Sequence, residues 1–231
     1  MIKNFLTAFI ILLTTAVSTL QGETVGKVDV GPAFLHIDIL EHNKTVKRMD
    51  IWAMRGDASY FLYKGLYIKP VILYGNGGAA KGGIFSGSCG LGYCIPLSPK
   101  LIISPLVGVT YSHLWTKINL PIPFPPFQLK NIRENFKSWA PNVCLDVYYT
   151  FIPTWRICAG IQYSWSKTKT TLVHVGKFKS KSEGFAYSLM LEHDLSDVWS
   201  INIGAAYNLS LTKEKHGLRG SGIKAGITRW F

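Results

Sequence analysis

A few sets of side chains in this chain could do chemistry. Asp38, His42 and Asp50 place two carboxylates near an imidazole, the combination that can orient and activate a nucleophile. Asp146, Arg156, Glu192, Asp194 and Lys224 are acids and bases set among small residues. They suit either a proton or ion path or a mutually neutralised network, since lone buried charges are costly. Lys167, Lys169, Lys177, Lys179 and Lys181 crowd five cations into one segment, which suits a polyanion. Cys89, Cys94, Cys144 and Cys158 contain no C-x-x-C spacing, so neither a zinc site nor a thioredoxin-like site is indicated. Sequence spacing alone assembles no nucleophile, base and orienter. No catalytic residue, cofactor or metal is expected.

Whatever holds these groups is not a disordered tail. The 231 residues are 48% hydrophobic, 13% aromatic and only 16% charged, whereas disordered chains are poor in aromatics and rich in charge. A net charge of +12 invites a nucleic-acid reading, but a soluble basic domain would carry more charge overall, so no nucleic-acid partner is expected. Residues 1–22 read as a secretory signal: Lys3 opens it, an uncharged run covers residues 5–17, and Ala16-Val17-Ser18 or Gly22 marks cleavage. The run is too short to cross a bilayer as a helix. Residues 23–231 then form one extracytoplasmic domain.

That domain alternates. In 199–211 the odd positions are Trp, Ile, Ile, Ala, Tyr, Leu and Leu, and the even positions are Ser, Asn, Gly, Ala, Asn and Ser. Segments 155–166, 139–151 and 185–194 do the same, the mark of strands with one apolar and one polar face. Soluble strands usually end after about 5–6 residues, and these are longer. Their polar faces are small rather than charged, which describes a closed barrel with lipid outside. Ten steps separate Trp155 from Trp165. At ~3.3 Å per residue and a tilt near 40°, they rise roughly 25 Å, the height of a lipid-facing band. Trp155, Trp199 and Phe151 fall at one interface, and Tyr111, Tyr163, Trp165 and Tyr207 at the other.

A weak repeat supports hairpin units. Segments 103–112, 155–164 and 199–208 each carry an inner-face glycine with an outer-face tyrosine three residues later. The predicted strands are 27–40, 46–56, 60–74, 84–95, 100–116, 139–152, 155–168, 183–195, 199–212 and 218–231. That is an all-β, closed antiparallel transmembrane barrel of ten strands, with eight as the alternative. Lys64, Lys69, Asp50 and Arg55 disturb the early faces.

The chain ends G-I-K-A-G-I-T-R-W-F, with Ile223, Ala225, Ile227 and Phe231 at alternate positions. This resembles the C-terminal assembly signal of bacterial outer-membrane β-barrels, although Arg229 stands where an apolar residue is usual. With the leader and the hairpins, the domain resembles small barrels of the OmpX, Opa and OmpW type. The resemblance implies an outer-membrane location, both termini in the periplasm, short periplasmic turns and long external loops. It also implies handling by the barrel-assembly machinery. Ten-stranded surface proteases of this kind use Asp and His at the external rim, but Asp38, His42 and Asp50 find no partner pair across the barrel. Barrel lipid A deacylases use His and Ser two residues apart, whereas Trp115 follows His113 at that spacing; His193 reads as a girdle residue. Cys144 should oppose about residue 162, so a bond to Cys158 would need a register shift. The proline-rich segment 118–127 is an outer loop, stiffened or partner-docking.

The predicted external segments 41–48, 75–83, 117–138, 167–183 and 212–219 carry +2, +1, +3, +4 and +2, or +12 in all. Without the leader and its Lys3, the chain carries +11. The positive charge therefore sits at one end. A structural or adhesive surface role follows, with lipopolysaccharide or acidic host glycans as the polyanion. A narrow passive channel for small, apolar solutes is the alternative, and a membrane-embedded hydrolase the less favoured one.

Overall fold

The structure, a computed structural model, describes residues 26–77, 82–121, 128–173 and 176–231, with side chains outside 118–132. Residues 1–22, expected as a leader, and residues 122–127 of the proline-rich segment lie outside them. Ten antiparallel strands close on themselves: β1 Gly26–Glu41, β2 Lys44–Tyr63, β3 Leu66–Gly77, β4 Gly82–Tyr93 continued by Ile95–Ser98, and β5 Leu101–Pro121. There follow β6 Gln128–Ile152, β7 Trp155–Leu172, β8 Gly176–Asp194, β9 Trp199–Leu211 and β10 Gly217–Trp230. Each strand pairs with its neighbours in sequence, and β10 returns to β1. Among the described residues there is no helix.

The predicted faces hold. Ile201, Ile203, Ile223 and Ile227 are exposed on the outside, while Asn142, Ser200, Asn202 and Thr228 are buried inside. An inverted surface of this kind requires lipid rather than water around it. Aromatic girdles form at both edges: Tyr111 packs on Trp139 at 5.0 Å and Tyr163 on Trp165 at 4.8 Å, while Trp155 stacks on His193 at 4.3 Å near the other end. Arg229 lies 5.4 Å over the Trp199 ring, so its stem and charge are accommodated within the girdle. Refolded in detergent, the chain should give a β-rich circular dichroism spectrum and heat-modifiable gel migration; a helical spectrum would contradict this fold.

Two expectations need correction. The first turn at the terminal end is Lys64-Gly65, with φ of 40° and 89°, not the stretch between 56 and 60. Left-handed conformation at both positions makes a tight hairpin turn, and β2 therefore runs on to Tyr63. The segments expected as long loops are mostly strand. K-T-K-T-T after Trp165 and K-F-K-S-K-S before Glu183 keep the two-residue period. Pairing continues through Lys169↔Lys179 and Lys117↔Arg133, so β5 to β8 rise as a tall wall above the rest of the rim.

Candidate functional site

Two layers of side chains pack inside the barrel. Near the external end Ile37, Met49, Ile51 and Leu114 meet inside the barrel, flanked by Leu35, Ile39, Ile84, Phe136 and Leu218. Met49 and Ile51 are 1% and 0% exposed, so this layer is an apolar plug. It forms because β1 and β2 place Leu35, Ile37 and Ile39 opposite Ile51, Met49 and Lys47 on their inner faces.

Below the plug lies a charge network. The sequence placed Asp146, Arg156, Glu192, Asp194 and Lys224 on the inner face, and there they are, but not as one cluster. Arg156 bonds Glu192 at 3.0 Å and Asp194 at 2.5 Å. Lys224 bonds Asp29 at 2.7 Å and lies 3.5 Å from Asp57, which Arg55 holds at 3.1 Å. Asp146 bonds Lys69 at 2.9 Å, and Lys27 reaches Glu192 at 3.6 Å. Lys27, Asp29, Arg55, Asp57 and Lys69 were missed because β1 to β3 lack clean alternation; the parity of the β1–β2 and β2–β3 pairings would have exposed them. Each of these ten groups has an opposite charge within 4 Å, and the signs cancel. A cavity of about 860 Å³ opens at the terminal end beside Phe61, Lys64, Arg156, Asp194 and Trp230.

The four cysteines are free, and Cys144 opposes Gln162 as the hairpin arithmetic requires. Asp38, His42 and Asp50 do not converge. Asp38 is held by Arg219 at 2.6 Å and Arg48 at 3.3 Å, Asp50 by His36 at 2.7 Å, and His42 packs on His216 at 4.3 Å.

The five candidate lysines stand on the outer wall of β7 and β8, all exposed. Lys167 opposes Lys181, and Lys169 opposes Lys179. Across the other edge of β7, Lys137 opposes Lys169 and Trp139 opposes Lys167. The cations thus form rows directly above the aromatic girdle, and Lys117 opposite Arg133 extends them along the wall. Among the described residues no carboxylate lies within 4 Å of the five lysines. Like charges directly opposite destabilise a sheet. Across the barrel, on β10, β1 and β2, outward charges pair instead.

Ile223, Ala225 and Ile227 face outward, and Phe231 exchanges backbone bonds with Gly26 at 3.0 and 3.1 Å. These features define a small outer-membrane β-barrel. The fold is similar to the outer membrane protease OmpT from Escherichia coli, with a TM-score of 0.57 and 11% identity over 93% of this chain and 99% of that one. It is also similar to the translocator domain of the autotransporter NalP from Neisseria meningitidis, with a TM-score of 0.54 and 9% identity over 99% and 96% of the two chains. No protein-family model matches the chain, and no curated protein matches it.

Proposed function

We propose that this protein is a lumen-sealed surface barrel, structural or adhesive in role, whose lysine wall binds polyanions. The observation that carries the reading is the double row Lys167/Lys181 and Lys137/Lys169/Lys179, repulsive by itself and next to the aromatic girdle residues Trp139 and Trp165. A phosphate-bearing ligand relieves that repulsion. Lipopolysaccharide is the nearest such polyanion, and sulfated or acidic glycans share its chemistry. The close packing of the apolar layer, with Met49 and Ile51 almost wholly buried, supports a sealed barrel over a solute channel.

Replacing Lys167, Lys169, Lys177, Lys179 and Lys181 with Gln should leave a heat-modifiable barrel. Binding to lipopolysaccharide or heparin should fall roughly 10- to 1000-fold, taking about 0.2–1 kcal/mol for each exposed contact. The wild-type affinity should drop as salt rises, because screening acts within about 8 Å at physiological ionic strength. Unchanged binding, or binding indifferent to salt, would refute the reading.

A further inference from the structure

The outer wall opposite the lysines carries an acid–base pair that the charge network and the plug do not use. On β1, His36 faces outward, and its Nδ1 lies 2.7 Å from Asp50 Oδ1 on β2. On the other side of β1, Ser221 of β10 is the direct cross-strand partner of His36, and it is exposed. Three adjacent strands therefore set Ser221, His36 and Asp50 side by side on one face. Directly opposed residues in a sheet have Cβ atoms about 4.5–5.5 Å apart, within reach of a side-chain hydrogen bond after rotation about χ1. The carboxylate holds Nδ1, which leaves Nε2 as the nitrogen for a hydroxyl. Nε2 makes no hydrogen bond among the described residues and lies 3.6 Å from Asp38 Oδ1, a carboxylate that Arg219 and Arg48 also hold, so Nε2 meets the Ser221 hydroxyl only when the imidazole turns from Asp38 toward β10.

The surroundings select a ligand. One pair toward the membrane centre, Phe34 packs on Trp52 at 5.1 Å, and Ile223 continues the apolar row across β10. One pair outward, Arg48 and Arg219 flank Asp38 and put cations above the serine. Tyr207 of the external girdle is the β9 partner of Ser221. Apolar and aromatic side chains thus lie on one side of Ser221 and cations suited to phosphate on the other, an arrangement that suits the ester region of a lipid.

We infer that Ser221, His36 and Asp50 form an esterase site facing the outer leaflet, acting on acyl esters of membrane lipids. Ser221 Oγ attacks the ester carbonyl while His36 Nε2 takes its proton. The tetrahedral intermediate collapses, the alcohol leaves with the proton from His36, and the acyl group stays on Ser221. Water, deprotonated by His36, then attacks the acyl-serine; the fatty acid departs and Ser221 recovers its proton. Ser221 and His36 are the catalytic residues, and Asp50 is a positioning residue for the imidazole. The site is independent of the lysine wall.

The test uses the refolded full chain in detergent micelles and in vesicles containing phospholipid, with a fluorophosphonate as covalent probe. The expected result is a single adduct located on Ser221 by peptide mass, with release of fatty acid from the vesicles. S221A should lose both, and H36A should lower turnover on the order of 10⁶-fold. D50N should lower kcat with KM unchanged, and D50E should recover part of it. All variants must remain heat-modifiable. No adduct on Ser221, or fatty-acid release that persists in S221A, overturns the inference.

Discussion

Asp146→Ala should destabilise the barrel by about 3–5 kcal/mol, the cost of leaving a buried ion-pair partner unmatched. Lys69 would be the group left behind: Asp146 is its salt-bridge partner at 2.9 Å, and their side chains are 22% and 7% exposed. The Cys144 thiol would also lose the carboxylate to which it donates at 3.3 Å. The wall is built around this carboxylate. A Cβ on Gly160 would stand 2.6 Å from Asp146 Oδ1, so the glycine leaves the space that the acid fills. Urea unfolding in detergent measures the loss. The double variant Lys69→Met with Asp146→Leu should unfold near the wild-type midpoint, because apolar replacement of a whole buried pair is often neutral. Equal losses in the single and double variants would show that the pair has no private role.

In planar bilayers the wild-type barrel should show no resolvable conductance steps, and a variant with Met49→Ser, Ile51→Ser and Leu114→Ser should conduct. These three side chains, with Ile37, close the lumen above the charged layer. An ion in an apolar constriction gives up its hydration for nothing, at a cost of several kcal/mol. With each tenfold in rate corresponding to about 1.4 kcal/mol, ion flux should rise on the order of 100-fold or more. The network below adds no selectivity by sign, since its positive and negative groups balance. Steady conductance by the wild type would move the reading toward a channel.

Most of the architecture was legible because lipid imposes a stricter code than water does. From β6 to β9 every strand carries an alternating stretch, which puts Trp199, Ile201 and Ile203 outside and Ser200 and Asn202 inside. β1 to β3 resisted because their inner faces carry charge rather than small polar groups. Arg55 and Lys69 point inward into ion pairs, Asp50 faces outward above the girdle to meet His36, and Lys64 belongs to a turn. Period-two reading treats such residues as noise unless the register is known. The same gap concealed half of the luminal network. The outer lysines were found as a segment but mistaken for a loop. Charge suggests solvent, and only the alternation K-T-K and K-F-K-S-K betrays that the strands continue beyond the membrane. Ser221, His36 and Asp50 lie too far apart in sequence for any spacing rule to gather them.

The seam between β1 and β10 joins the two ends of the chain, and it is clamped on both faces. Inside, Lys224 reaches Asp29 across 195 residues; outside, Arg219 reaches Asp38 across 181. Pairing along this seam skips Gly31 and Pro32, where proline can give no N–H. Distant segments meet late, since each long loop must lose its freedom before contact rewards it. During insertion the open edges of β1 and β10 are also the edges most exposed to capture by a neighbouring chain. Two complementary charge pairs, one per face, favour this edge over one that lacks matching charges.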